Sequence, residues 1–343
     1  MEKGFRFSFG PWNIHEGADP FGPPVRPTMA FSKKLETLKE LGFDAMQFHD
    51  DDAVDVTLPY PEMMRKVGEL KKVLDDNGLA AEFVAPRIWE DPRTVDGVIT
   101  ANDSACREYA LERGKKSVDI AHALGTDRLV LWPAREGTYI RESKDPVVSI
   151  QRFIDWVNAM LAHSPTIRIL GEMKPNEPMD MAYLPTTGHF LALSYRTADP
   201  NRVGVLIESA HCILAGLDPS EEMGTAIAHG KLWGVHLNDQ NGLKFDEDKA
   251  FGTVDLRRAF NQVYVLRKNG YGKNGEYVGL DVKAMRTQPF ELSTRHLANS
   301  KAIFLKLVDV VDRVDEAKKS AFISARDYEG LEMYIVDLLM GAP

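Results

Sequence analysis

Eight short runs dense in apolar and β-branched side chains recur along the chain. They are FRFSFGPW (5–12), DAMQFHD (44–50), LAAEFVAP (79–86), DRLVLWPA (127–134), TIRILGEMK (166–174), VGVLIESA (203–210), LWGVHLND (232–239) and EYVGLDVK (276–283). Continuous apolar runs this short predict buried strands. Between them apolar residues recur at three- and four-residue spacing, as in SKKLETLKELG (32–42), PEMMRKVGELKKVLDDNG (61–78) and REYALERGKKSVDIAHALG (107–125). That spacing predicts amphipathic helices, and the closing Leu-Gly or Asn-Gly supplies the left-handed residue that ends one. Strand–helix alternation implies parallel strands, because parallel neighbours need a long crossover. Eight such units suit a closed (β/α)8 barrel. A doubly wound open sheet is the competitor, but no glycine-rich phosphate loop follows the first run.

Length and composition narrow the picture only a little. At 343 residues the chain makes one large domain or two ordinary ones. A formal net charge of −9 with no basic cluster argues against a nucleic-acid partner. No apolar run approaches membrane length, and MEKGFRFSFG lacks the apolar core of a signal peptide, so no membrane partner is expected. Cys106 and Cys212 are too few for a disulfide framework, which makes a reducing cytoplasm the expected home.

The candidate chemistry lies where the strand runs end, the face on which (β/α)8 barrels carry their active sites. In order, those ends give Trp12, His49, Trp89 soon after the third, Trp132, Glu172 with Lys174, Glu208 with His211, His236, and Asp281 with Lys283. One such residue alone reads as a satisfied structural polar group; the whole series does not. The stretch VHLNDQNGLKFDEDKAFG (235–252) alone reads as a solvated acidic loop. Beside the seventh strand end it instead brings Asp246 and Asp248 to Glu172, Glu208 and Asp281. Five carboxylates so close would resist ionisation without cations, and Lys174 and Lys283 cannot balance them. Two divalent ions could, with oxygen ligands suiting magnesium or manganese and imidazoles extending the range to cobalt. Glu247 is expected to point away, and Asp239 to be a loop residue. No organic cofactor is called for.

Eight collinear segments resemble the xylose isomerase family: FGPWNIHEGADPFG (9–22), FHDDD (48–52), ITANDSACREYAL (99–111), LWPAREG (131–137), GEMKPNEP (171–178), IESAH (207–211), GLKFDEDKAFGTVDLRRAF (242–260) and LDVKAMRT (280–287). The resemblance implies a TIM barrel that interconverts aldoses and ketoses by a metal-assisted hydride shift, most simply D-xylose to D-xylulose. It further implies that Glu172, Glu208, Asp281 and residue 236 hold a first metal, and that Glu208 bridges to a second completed by His211, Asp246 and Asp248. His49, oriented by Asp52, would assist opening of the sugar ring. Lys174 would hydrogen-bond the oxygen at carbon 1, and Lys283 would support the carboxylates at the sugar site. Trp12, Trp89 and Trp132 would wall the monosaccharide. Phe21 would reach into a neighbouring subunit of a homodimer or homotetramer. The barrel is expected over 1–315, with a short C-terminal helical extension over 316–343 making an oligomer contact.

Two departures bear on this reading. His236 stands where the family usually carries aspartate, and imidazole there resembles L-rhamnose isomerase, a relative; it either ligates the first metal or turns away and packs. Arg87 and Trp89 replace smaller polar residues and a phenylalanine, which changes the wall around the far end of the sugar. Another aldose, such as L-rhamnose or D-glucose, is therefore an alternative substrate. A metal-dependent sugar epimerase on the same barrel, and a silent sugar-binding barrel, are the rival functions. A single-metal nuclease fits the acidic balance least.

Overall fold

A computed structural model describes residues 2–341. Eight parallel strands close into one barrel: β1 (Phe7–Phe9), β2 (Ala45–His49), β3 (Ala80–Ala85), β4 (Arg128–Leu131), β5 (Arg168–Glu172), β6 (Val203–Glu208), β7 (Leu232–Leu237) and β8 (Val278–Leu280). Each lies inside one of the eight apolar runs, so the expected (β/α)8 TIM barrel is the fold observed. The first run yields only three strand residues because Gly10 and Pro11 turn the chain into a short 3-10 segment, and proline has no N–H for a ladder.

Eight long helices follow their strands: α1 (Phe31–Glu40), α2 (Tyr60–Asp76), α3 (Ser104–Leu124), α4 (Pro146–His163), α5 (Thr187–Ser194), α6 (Pro219–Ala228), α7 (Leu256–Lys268) and α8 (Arg295–Asp312). The glycines expected to end helices do so: Gly42, Gly78 and Gly125 all have left-handed φ, from 68° to 84°. Two shorter helices, Asp50–Ala53 and Ser209–Leu214, begin at the ends of β2 and β6, beside the mouth. The sequence pattern gave no sign of an antiparallel ribbon pairing Gly137–Thr138 with Met181–Ala182.

Past α8, two further helices, α9 (Glu316–Ala325) and α10 (Tyr328–Leu339), fold back on the barrel. The backbone N–H of Asp315 donates to the Tyr334 hydroxyl at 2.8 Å, and Tyr334, Ile335 and Leu338 are buried. Tyr328 and Met333 of the same helix face outward.

The main core lies between the strands and the helices, while a second apolar set fills the barrel itself: Phe83, Ala85, Val130, Leu170, Leu206 and Trp233, with Trp12 leaning on it. Close packing beside the mouth depends on one missing side chain. A Cβ on Gly171 would sit 2.2–2.4 Å from the ring of Phe190, and Gly171 immediately precedes Glu172. Gly171→Ala is expected to destabilise the fold by about 1–3 kcal/mol, the usual cost of overpacking. A urea titration checks this; an unchanged midpoint would mean that Phe190 can retreat freely.

Candidate active site

Strand register sets the site. Glu208 of β6 pairs with His236 of β7, and His236 pairs in turn with Gly279 of β8, two residues before Asp281. Glu172 ends β5. Neighbouring parallel strands thus deliver Glu172, Glu208, His236 and Asp281 to one point, with one ligand-type atom from each within 4.8 Å of the others. His236 turns inward: its Nδ1 lies 3.4 Å from Glu172 Oε2, 3.8 Å from Glu208 Oε2 and 4.0 Å from Asp281 Oδ2. A second group, Glu208, His211 and Asp246, meets the same distance limit and shares Glu208 with the first. His211 Nε2 lies 3.2 Å from both Glu208 Oε1 and Asp246 Oδ2.

The acidic loop is built to present Asp246 and Asp248. Asp239 and Lys249 exchange backbone hydrogen bonds of 2.9 and 3.0 Å that close its base, and the Asp239 carboxylate accepts from the N–H groups of Val254 and Asp255. Glu247 points away, accepting from Asn241 N–H and pairing with Lys244. Asp248 takes a left-handed φ of 48°, a conformation aspartate tolerates better than most residues. Its carboxylate accepts from Lys283 and Asn238.

Asn238 was not anticipated from the sequence. Its amide donates to Glu208 Oε1 at 2.9 Å and Asp248 Oδ1 at 3.0 Å, and its oxygen accepts from Ala210 N–H. It stands two residues past His236, so strand alternation was a signal that could have found it. Glu177 was also missed; it accepts from Asp246 N–H at 3.1 Å and lies 3.1 Å from Lys174 Nζ.

Every expected site residue except Asp52 and Phe21 lines a single cavity of about 380 Å³ at the barrel mouth. Asp52 stands one layer back, its Oδ2 2.9 Å from His49 Nδ1. His49 is flanked by Trp12 and Trp89, at ring centroid distances of 4.4 and 5.3 Å, and Trp89 meets Trp132 edge-on at 4.6 Å. Trp12 Nε1 donates to Asp281 Oδ1 at 3.0 Å, tying the aromatic wall to the carboxylates. Lys174 Nζ donates to Asp246 Oδ2 at 2.9 Å and lies 5.6 Å from the centre of the Trp132 ring. Phe21 is 98% exposed on a turn closed by paired backbone hydrogen bonds between Asp19 and Gly22.

The electrostatics are those of crowded like charges. Burial pushes Asp248 up to about 8, with Asp246 and Asp281 adding to the effect and Lys283 opposing it. Burial also raises Asp281, and it raises Glu208 well above the carboxylate range despite the nearness of His236. Burial would lower His236, but Glu172, Glu208 and Asp281 hold it well above the ordinary histidine value. Glu172 is driven the other way, to about 2, because His236 and His211 outweigh its burial. The raised values favour protons in the place that cations would take. The buried atoms His211 Nδ1, His236 Nδ1 and Asp246 Oδ1 have no hydrogen-bond partner among the described residues. Carboxylate oxygens, two imidazoles and these unpartnered atoms together fit divalent metal ions.

Fold and site define a parallel (β/α)8 barrel with a buried carboxylate–histidine cluster at its C-terminal mouth. Residues 35–287 match the family model described as xylose isomerase-like TIM barrel. Over 295 residues, 83% of this chain and 74% of the relative, the sequence is 34% identical to a xylose isomerase of Thermus thermophilus. The chain belongs to the xylose isomerase-like TIM-barrel family. Among solved structures, a D-tagatose 3-epimerase-like protein superimposes with a TM-score of 0.66 at 16% identity, covering 90% of this chain and all but 2% of that one (98%). An L-ribulose 3-epimerase gives 0.62 at 16% identity, covering 95% of this chain and 99% of its own. At such identities the likeness is one of fold. No helix among the described residues is long and apolar enough to cross a membrane.

These charges fix the sign of a pH dependence in the metal-free protein. Glu208, Asp248, Asp281 and His236 all have folded values raised above their unfolded ones, while burial lowers His15 and His296 to about 4. Above about pH 6.5, where those two histidines are mostly neutral in the unfolded chain as well, the folded chain holds the more protons up to about pH 8. The carboxyls lose stability as pH climbs from their unfolded values towards the raised folded ones. The His236 contribution is whole below about 6.5 and drains away as pH rises through its raised value. Stability of the chelated protein should therefore fall from about pH 6.5 to 8, Asp248→Asn should flatten the slope, and saturating manganese should remove most of it. Thermal denaturation at several pH values checks this; a metal-free midpoint that climbs over the interval contradicts it.

Proposed function

We propose that this protein is a divalent-metal-dependent aldose–ketose isomerase acting by a 1,2-hydride shift, with D-xylose to D-xylulose as the leading reaction. The observation that supports it best is the second ligand group, Glu208, His211 and Asp246, beside the first. A sugar epimerase working by proton transfer at one metal has little use for that group or for Lys174. The 34% identical relative, named a xylose isomerase, supports the same class.

In this reading Glu172, Glu208, His236 and Asp281 hold one ion, and Glu208, His211, Asp246 and Asp248 the other. Bound there, manganese, cobalt or magnesium would supply Lewis acidity and a template for two adjacent sugar oxygens. Asn238 donates to both Glu208 and Asp248, and Lys283 to Asp248, which keeps these carboxylates aimed at the site. His236 must give up its proton before it can ligate, so metal affinity falls in acid. Imidazole in place of a fourth carboxylate shifts preference from magnesium towards manganese or cobalt.

Lys174 carries positive charge to the cavity where the carbonyl oxygen of the open-chain sugar gains negative charge; one such donor is typically worth about 10²–10³-fold. It stays charged because burial, which opposes the charge, is outweighed by Asp246 and Glu177. Trp12, Trp89 and Trp132 exclude water, so the migrating hydride is not lost to solvent exchange. His49 serves ring opening. Phe21, too exposed to be at rest in a single chain, fills the site of a second copy in a homodimer or homotetramer.

A panel of aldoses assayed with manganese, cobalt and magnesium tests the reading, with ketose formation expected for a pentose. Asp246→Asn with Asp248→Asn should drop bound metal from two ions per chain to one and abolish turnover while sugar binding is partly kept. Near-normal activity in that double variant would reduce the acidic loop to a solvated one and remove the isomerase assignment.

A further inference from the structure

Arg87 follows β3 by two residues and stands against the His49–Asp52 pair. Its anchoring is rigid. The backbone N–H of Arg87 donates to Asp50 Oδ1 at 3.0 Å. Asp50 is fully buried and held by two 2.8 Å hydrogen bonds from Arg113 and one of 2.9 Å from Ser117. Around the guanidinium, Nε lies 3.0 Å from Asp51 Oδ1 and Nη1 donates to Glu90 Oε1 at 3.2 Å. Nη2 faces two groups, Asp52 Oδ1 at 3.0 Å and His49 Nδ1 at 2.7 Å. Burial opposes the charge on Arg87, but Asp52, Asp51 and Glu90 more than offset it. Nη1 and Nη2 thus donate to Glu90, Asp52 and His49, while Nε faces Asp51 by charge alone.

The contact with the imidazole decides where the ring hydrogen sits. Guanidinium offers only donors, so a 2.7 Å approach to Nδ1 is a hydrogen bond only if Nδ1 carries a lone pair. Asp52 Oδ2 is 2.9 Å from the same nitrogen and would favour a proton there, but Nδ1 has one in-plane position and cannot serve both. The carboxylate is satisfied without the ring: Oδ2 accepts the backbone N–H of His49 at 3.1 Å, and Oδ1 accepts Arg87. A proton on Nδ1 aimed at Asp52 would leave the Arg87 N–H, 2.7 Å away, facing a nitrogen without a lone pair to accept it.

We propose that Arg87 is a positioning residue that holds His49 in the neutral tautomer with its hydrogen on Nε2, so that the imidazole meets the sugar as a hydrogen-bond donor. The pair of His49 with Asp52 alone would give the opposite tautomer, with an acceptor towards the sugar. A donor at that place hydrogen-bonds the ring oxygen as its bond to carbon 1 breaks and negative charge gathers on it; the proton the ring oxygen finally carries is the one the carbon-1 hydroxyl gives up, so the neutral imidazole keeps its own. This assignment rests on the reading of the cavity as a sugar-isomerising site, and its kinetic part falls with that reading; the tautomer does not.

The test is the side-chain ¹⁵N–¹H spectrum of metal-free protein at about pH 8, above the ordinary histidine range, with the His49 signals identified by their loss in His49→Gln. The wild type should show Nε2 protonated and Nδ1 bare. In Arg87→Gln the proton should move to Nδ1, towards Asp52. Arg87→Lys keeps the charge but loses the fork and should shift the proton partly; it also stands in should the glutamine variant not fold. In turnover, Arg87→Gln should slow a substrate that is almost wholly cyclic by about 10²-fold, the low end of what one preorganised donor to a developing negative charge supplies, and spare one with a high open-chain fraction. A wild-type ring protonated on Nδ1, or a spectrum unmoved by both substitutions, overturns the assignment. The expected spectrum in a protein that makes no ketose would uphold Arg87 as the tautomer-setting residue and sink the isomerase reading instead.

Discussion

Mutual repulsion among buried carboxylates governs this molecule. Glu172, Glu208 and Asp248 are each at most 6% exposed, Asp246 and Asp281 adjoin them, and Lys174 and Lys283 bring fixed positive charge to Asp246 and Asp248. Such a cluster is tolerated in a folded protein when something positive shares it. Without ions, the crowding favours protons on Asp248, Glu208 and His236 instead. The same groups, deprotonated, are what a divalent cation binds. The instability of the bare site and its capacity for metal are one property.

The barrel makes that cluster possible by confining it. Parallel strands end together, so β5 to β8 place their terminal acids and imidazole within a few ångströms without help from long loops. Below them, apolar side chains fill the barrel, and Phe83 lies 5.7 Å from His236, ring to ring. Above them, tryptophans close the wall. One loop, fixed at its base by Asp239 and at its tip by Asn238 and Lys283, brings the remaining two carboxylates. Rigid elements hold the charges in place, and the resulting field acts on whatever enters the cavity.

Much of this could be read from the chain. All eight strands fall within apolar runs, and the polar residues closing those runs are the ones that line the cavity, because in a barrel the strand end is also the functional face. Inward orientation of His236 could not be read: a histidine at a strand end either ligates or packs, and only the register with Glu208 and Asp281 decides. Asn238 was hidden among the acids of its loop. Arg87 was visible as a departure but legible only as wall, since its meaning lies in a 2.7 Å contact with a residue 38 positions away in sequence. Linear spacing reports which face a side chain takes; it does not report which hydrogen goes where.

Isomerase and epimerase can share this barrel, and the difference between them is the path of one hydrogen. The direct measurement is conversion of an aldose in heavy water with the manganese-loaded protein, followed by mass and NMR analysis of the product. A hydride shift within a cavity walled by Trp12, Trp89 and Trp132 predicts a ketose whose migrated hydrogen came from carbon 2 of the sugar, with no solvent deuterium at carbon 1. Product carrying solvent deuterium at the reacting carbon, or a sugar with one inverted hydroxyl and no change of carbonyl position, would contradict the account.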